Sequence, residues 1–143
     1  MIRGIRGATT ASSNSREDIL EAGKELLQEL ISHNSIDSQD IACIIFSSTP
    51  DLKSAYPAAA ARKLGLLDVP LFGAQEIDVK DCPAKCIRIL VLLNTQKSQR
   101  EISHVYLREA SALRPDLAQN HSRKGEIKHD SCNERQSITQ GTG

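Results

Sequence analysis

Three charged side chains stand inside stretches of sequence that otherwise have the pattern of β-strands. Arg88 lies in the middle of residues 85–93, the most apolar run of the chain, while Arg6 lies within 1–10 and Glu76 within 69–79. A guanidinium that is buried without a partner is costly, so Arg88 requires a negatively charged group nearby. We therefore expect these three charges to form one site.

Arginines, a carboxylate and the phenol of Tyr106 together suit a small dianionic ligand, because guanidinium forks bind carboxylates in a bidentate manner. Structural explanations remain open from the residues alone. Arg88 and Glu76 could form an ion pair that only stabilises the sheet, or charges that protect an edge strand. Arg6 could be a solvated strand residue, and Tyr106 could be a core ring with its hydroxyl at the surface.

The sequence lacks the motifs that are typical of other kinds of catalytic site. The histidines are scattered and show no pairing of a base with a nucleophile: His33, His104, His121 and His129. The cysteines have no paired C-x-x-C spacing: Cys43, Cys82, Cys86 and Cys132. No glycine-rich phosphate loop is present. We expect no covalent or metal catalysis and no metal site, with the thiols reduced.

Composition limits the partners and the compartment. The 143 residues contain 18 Lys and Arg against 18 Asp and Glu, and aromatic residues make up 3%. A chain with no net positive charge and few rings is a poor candidate for binding nucleic acid. No apolar run approaches the length of a membrane span, and no leader pattern is present, so we predict a soluble, cytoplasmic protein without a membrane partner.

The hydrophobic pattern predicts five strands and two helices. Helices are expected over 15–31, after an approximate capping box, and over 58–64, after Pro57. Strands are expected over 1–10, 41–47, 69–79, 86–94 and 104–113. The resulting fold class is α+β, with a five-stranded mixed sheet and its helices on one face.

Side-chain alternation gives a sharper expectation for the strand at 86–94. Ile87, Ile89, Val91 and Leu93 should share one face of the sheet, and Arg88 should lie on the other with Leu90. Since two helices cover only one face, the other needs cover from further copies of the chain, which predicts a symmetric oligomer.

The last part of the sequence has a different composition. Residues 118–143 are rich in hydroxyl and charged side chains and have almost no apolar spacing. We interpret residues 1–117 as the folded domain and 118–143 as a polar, disordered tail.

Six short blocks in order resemble one family. They are MIRGIRGATT at 1–10, STPDL at 48–52, QEID at 75–78, KCIR at 85–88, HVYL at 104–107 and LRPDL at 113–117. Together they resemble the monofunctional bacterial chorismate mutases of the trimeric α/β class. The resemblance implies a homotrimer whose sheets form a pseudo-α/β barrel, with three active sites at subunit interfaces. It also implies an isomerase of aromatic amino acid biosynthesis, the shikimate pathway, that rearranges chorismate to prephenate in one pericyclic step without cofactor, metal or covalent intermediate.

The resemblance also implies roles for individual residues. Arg88 would place its guanidinium beside the ether oxygen, where negative charge grows as the C–O bond breaks. Glu76 would accept a hydrogen bond from the substrate ring hydroxyl, while Arg6 and Tyr106 would bind carboxylates. The remaining residues would line the mouth of the site: Tyr56, Arg62, Leu113 and Arg114.

Two positions depart from the family pattern. Gly73 stands where relatives carry a cysteine near the substrate hydroxyl, and Ala59 stands where they can carry a lysine. We expect these departures to alter substrate affinity more than the chemistry. Two other functions remain alternatives: a non-catalytic trimeric protein that binds small carboxylates, and a small imine hydrolase on a similar trimeric barrel.

Overall fold

The computed structural model describes residues 1–118, which form a mixed sheet with helices on one side. The strands are β1 (Ile2–Thr10), β2 (Ile41–Ser48), β3 (Leu71–Gln75), β4 (Cys86–Asn94) and β5 (Val105–Tyr106). Their order in the sheet is β3-β2-β4-β1-β5. β4 runs antiparallel to both of its neighbours, whereas β2 with β3 and β1 with β5 are parallel pairs. The predicted fold class and the mixed five-stranded sheet are confirmed.

The long helix α1 (Arg16–Asn34) provides most of the cover on one face of the sheet. It begins where the Ser15 hydroxyl accepts the N–H of Asp18 at 3.2 Å, and it ends at Ser35, which has a left-handed backbone with φ of 52°. The helix ends at Asn34, three residues after the end expected from the sequence at residue 31. Gly7 of β1 lies under it, and a Cβ at that position would come within 2.9 Å of Leu26 Cδ1. The glycine therefore lets the helix approach the sheet closely.

Shorter helices complete this layer and the connections. α2 (Ala59–Lys63) follows Pro57 and ends before Gly65, whose φ is 81°, in agreement with the helix expected over 58–64. The 3₁₀ helices within residues 1–118 are Ser38–Asp40, Gln99–Glu101 and Arg108–Leu113, and a short helix α3 (Pro115–Ala118) follows. None of the helices within residues 1–118 combines the length and the apolar character needed to cross a bilayer.

The hydrophobic core lies between the sheet and α1. Ile87, Ile89, Val91 and Leu93 of β4 are all buried there, so the predicted alternation of this strand is confirmed. Arg88 and Leu90 point to the opposite side, which we call the open face. The open face carries Arg6 and Ala8 of β1, Ile45 and Ser47 of β2, Phe72 of β3, and Arg88, Leu90 and Leu92 of β4. Of the helices within residues 1–118, only the 3₁₀ helix at 108–113 packs on this face, where Ala110 and Leu113 contact Ala8 and Tyr106.

Two of the predicted strands are much shorter than expected. β3 ends at Gln75 and not at residue 79, because its parallel partner β2 ends at Ser48, whose carbonyl accepts the N–H of Glu76 at 2.9 Å as the last bond of the pair. The fifth strand is only Val105–Tyr106, and residues 108–113 of the expected 104–113 strand form a 3₁₀ helix.

Arg108 provides the physical reason for the early end of β5. Its φ of 52° turns the chain out of the strand. The guanidinium then holds the turn in place, because it donates to the Thr10 carbonyl at 3.1 Å and pairs with Glu25 of α1 at 3.0 Å. Of the polar tail predicted at 118–143, only Ala118 belongs to the described residues, where it ends α3; the rest of that prediction lies outside them.

Candidate active site

A cavity of about 270 Å³ on the open face brings the three predicted charges together. Arg6, Glu76 and Arg88 all line it, and Tyr106, Leu113 and Arg114 lie around the same space. Six of the nine residues predicted for the site therefore meet in one chain. They come from β1, β4, β5, the residue that follows β3, the last residue of the 3₁₀ helix at 108–113 and the residue after it.

Sheet register explains why the cavity forms over Arg88. Arg88 on the central strand β4 pairs with Ala8 of β1 on one side and with Ser47 of β2 on the other. Both neighbours have small side chains, so the guanidinium has free space above it. One pair further along, Leu90 lies between Arg6 and Ile45, which gives the cavity an apolar wall next to the cations.

Arg88 and Glu76 form an ion pair that leaves both groups accessible. The Nε atom of Arg88 lies 3.5 Å from Oε1 of Glu76, and the two side chains are 35% and 25% exposed. The Ser47 hydroxyl donates a hydrogen bond to the same Oε1 atom. Nε of Arg88 is buried and makes no hydrogen bond within residues 1–118. The pair orients the guanidinium without using up its hydrogen-bonding capacity.

The opposite side of the cavity carries a phenol and another cation. Tyr106 of β5 pairs with Ala8 and packs with Leu113 and Ala110 in a small apolar cluster. Arg114 follows directly, and its guanidinium donates to both carboxylate oxygens of Asp116 at 3.1 and 2.9 Å. These hydrogen bonds, together with the charge of Asp116, raise the pKa of Arg114. Hence a cation is fixed at the rim.

Two further residues of the site had not been selected from the sequence. Ser47 contacts Glu76, as described above, and the only signal for it was a hydroxyl at the end of an apolar strand. His104 accepts the backbone N–H of Arg6 at its Nδ1 atom, at 3.0 Å. Burial lowers the pKa of His104, and the charges of Arg6 and Arg114 lower it further.

Three predicted residues lie away from this cavity. Tyr56 and Gly73 line a second, larger cavity of about 810 Å³ beside α2, together with Ala59. Gly73 pairs with the buried Phe46, so it belongs to the opposite face of the sheet from Arg88. Arg62 is exposed on α2 and donates to the Leu67 carbonyl at 2.7 Å. One chain by itself does not bring these residues to Arg88.

The cavity provides fixed positive charge and hydrogen-bond donors. Within residues 1–118 no three His, Cys, Asp or Glu side chains form a group that could hold a metal ion. Cys86 is buried, and this burial raises the pKa of its thiol although Arg88 acts in the opposite direction. The arrangement therefore suits an anionic ligand that also carries a hydrogen-bond donor for Glu76.

Comparisons with known proteins agree with one another. Residues 2–117 match the model of the family described as chorismate mutase type I. Chorismate mutase AroH of Thermus thermophilus is 48% identical over 118 residues, which are 82% of this chain and 97% of that protein. Chorismate mutase AroH of Bacillus subtilis (strain 168) is 44% identical over 119 residues, 82% of this chain and 94% of that one. Among solved structures, a chorismate mutase from Clostridium thermocellum superposes with a TM-score of 0.75 at 42% identity and covers 76% of this chain and 97% of its own.

Proposed function

The chain belongs to the chorismate mutase type I family and is an isomerase that acts on chorismate, and we propose that Arg88, Glu76 and Arg6 carry the rearrangement to prephenate. The observation that supports this assignment is the meeting of the three charges in one cavity of the open face. In this reaction the ether C–O bond breaks while a C–C bond forms in the same molecule. No proton, electron or group is exchanged with the protein, so the site needs neither a nucleophile nor a base.

Arg88 is the group that stabilises the transition state. As the C–O bond breaks, negative charge grows on the ether oxygen, and a guanidinium beside it interacts more strongly with the transition state than with the ground state. Arg88 is suited to this role because Glu76 holds its Nε atom at 3.5 Å while the side chain stays 35% exposed and lines the cavity. A rate enhancement of about 10⁶ would require roughly 8 kcal/mol, shared between this charge and restriction of the substrate to its compact conformer.

Glu76 and the rim residues select and orient the substrate. Oε1 of Glu76 receives the Ser47 hydroxyl, whereas no residue of 1–118 donates a hydrogen bond to Oε2, which can therefore accept the ring hydroxyl of chorismate. Arg6, Tyr106 and Arg114 line the other side of the cavity and bind the two carboxylates.

The active enzyme is a homotrimer whose sites are completed between subunits. The open face carries apolar side chains that remain exposed in one chain, with Phe72 at 65% and Ile2 at 50%. Tyr56, Arg62 and Gly73 are absent from the lining of this cavity within one chain, and Gly73 belongs to the other face of the sheet. A neighbouring copy seated on the open face would supply them and bury the apolar surface, so that the subunit sheets form a pseudo-α/β barrel.

The test of the function is a direct assay. Purified protein is incubated with chorismate in buffer without metal ions or other additives, and chorismate loss and prephenate formation are followed together by chromatography. We expect equal molar amounts to be lost and formed, with saturation kinetics. Binding of chorismate without turnover would instead indicate a carboxylate-binding protein and would refute the assignment.

A further inference from the structure

β5 is too short to bond the whole edge of β1, and side chains form hydrogen bonds with backbone groups of β1 that β5 does not reach. β5 pairs with β1 only at Gly7 and Ala8, and the last backbone bond runs from the Leu107 N–H to the Ala8 carbonyl at 2.9 Å. Two β1 backbone groups that precede this pairing are bound differently. The Gly4 carbonyl accepts from the Gln99 side chain at 2.8 Å, and the Arg6 N–H donates to Nδ1 of His104 at 3.0 Å.

The hydrogen bond from the Arg6 N–H defines the protonation state of the His104 imidazole. A backbone N–H can only donate, so Nδ1 of His104 must carry a lone pair, and the ring is neutral with its proton on Nε2. A protonated ring would present an N–H to the N–H of Arg6. The bond would be lost, and a new positive charge would lie near the guanidinium groups of Arg6 and Arg114.

We propose that His104 is a positioning residue for the rearrangement, because its neutral imidazole holds the backbone of Arg6 and thereby aims the Arg6 guanidinium into the cavity. This inference rests on the proposed role of Arg6 in binding substrate. Within residues 1–118 the Arg6 guanidinium itself has no hydrogen bond or ion pair, so its position depends on how its backbone is held. His104 is the only side chain in the described part of the chain that contacts that N–H.

The surroundings of His104 favour the neutral form. The charges that act on it are those of Arg6 on β1 and of Arg114 after the last 3₁₀ helix, and Arg114 in turn interacts with Tyr106 and Asp116. Burial disfavours the imidazolium most, and the two arginines act in the same direction, so the pKa of His104 is lowered. We therefore expect the hydrogen bond from the Arg6 N–H to His104 to be present at neutral pH and to be lost under acid conditions.

Three variants of the full chain separate positioning from simple packing. His104→Leu removes the acceptor and should lower kcat/KM for chorismate by about fivefold, the usual effect of losing one hydrogen bond. His104→Asn places its amide oxygen close to the position of Nδ1 and should restore most of that loss. A third variant, Arg6→Ala combined with His104→Leu, should be no slower than Arg6→Ala alone, because His104 acts through Arg6.

The pH response provides an independent readout. The backbone amide resonance of Arg6, followed by NMR, should shift in wild-type protein as His104 becomes protonated, and kcat/KM should decline over the same range. Neither change should occur in His104→Asn. The control His33→Asn, at an exposed histidine of α1, should keep the wild-type response.

The outcomes distinguish this inference from the proposed function. If the effects of Arg6→Ala and His104→Leu on kcat/KM simply add, or if the Arg6 amide does not respond to His104, the positioning role is wrong while the enzyme assignment stands. If Arg6→Ala retains full activity, Arg6 does not bind substrate and His104 has no role in catalysis. If wild-type protein does not convert chorismate, the proposed function itself fails.

Discussion

Oε1 of Glu76 lies 3.5 Å from Nε of Arg88 and also accepts the hydroxyl of Ser47. The carboxylate therefore holds the cation and is itself held by the neighbouring strand. A 3.5 Å separation is longer than a normal hydrogen bond, so the pair leaves Arg88 able to interact with a ligand. Sequence considerations alone allowed an ion pair that only stabilises the sheet. The structure contains the pair, but it places the pair at a cavity and not in the core.

Substitution of Arg88 tests the main catalytic contribution. Arg88→Lys should lower kcat by about 100-fold or more, because an ammonium cannot match the position and fork of the guanidinium beside the ether oxygen. Steady-state kinetics and circular dichroism should show a slow but folded enzyme. The matched control Arg100→Lys, at an exposed residue, should behave like wild type. A near-normal kcat in Arg88→Lys would refute the role proposed for Arg88 in stabilising the transition state.

Ser47 should matter through Glu76. Ser47→Ala removes the hydroxyl that fixes Oε1 and should weaken transition-state binding by about 1 kcal/mol, which corresponds to roughly a fivefold fall in kcat/KM. Ser32→Ala, an exposed serine of α1, serves as the control. In the Glu76→Ala background Ser47→Ala should have little further effect, and a full additional loss would show that Ser47 acts independently.

Mixed oligomers test whether sites are shared between subunits. Arg88→Ala and Arg62→Ala should each be impaired alone, since both residues are proposed to serve the substrate. When the two variants are co-expressed, some interfaces receive both wild-type residues, and activity per subunit should exceed that of either variant. Sedimentation or light scattering should give the mass of a trimer. No gain on mixing, with subunit exchange verified, would place each site within one chain.

The space at Gly73 should accept a side chain. A Cβ added there meets no atom within 4 Å, and the residue lies in a strand with ordinary backbone. Gly73→Cys should leave the unfolding temperature close to wild type and lower KM for chorismate by adding a contact to the substrate hydroxyl, whereas Gly73→Ala should not lower KM. An unchanged KM in Gly73→Cys would show that position 73 does not reach the substrate.

Gly7, in contrast, has no room for a side chain. Gly7→Ala should destabilise the fold by about 1–3 kcal/mol because its Cβ would clash with Leu26.

Stability should depend on the protonation of His104. Its pKa is lowered in the folded state from the ordinary value of 6.5, so the unfolded chain binds a proton more readily. The stability associated with the neutral ring is thus complete above about pH 6.5 and is lost as pH falls towards and through the folded pKa. Urea unfolding of wild type and His104→Asn at a series of pH values measures the difference. A constant difference between them across the acid range would contradict this expectation.

Local pattern was sufficient for the parts of the fold that depend on neighbouring residues. The apolar alternation of 86–94 determined which side of β4 faces the core, and the spacing of leucines with the Ser15 cap determined α1. Charges inside apolar stretches led to the prediction that Arg6, Glu76 and Arg88 lie together, because an isolated charge is costly to place in an apolar strand, and the three do line one cavity.

Tertiary structure decided what depends on residues far apart in the sequence. The lengths of β3 and β5 follow from where β2 ends and from the turn at Arg108, since a strand extends only as far as its partner allows. The roles proposed for Ser47 and His104 depend on strand register, which brings a serine beside Arg88 and an imidazole to the N–H of Arg6. A hydroxyl and a histidine are ordinary in sequence, and only their hydrogen bonds to Glu76 and Arg6 in the folded chain suggested these roles.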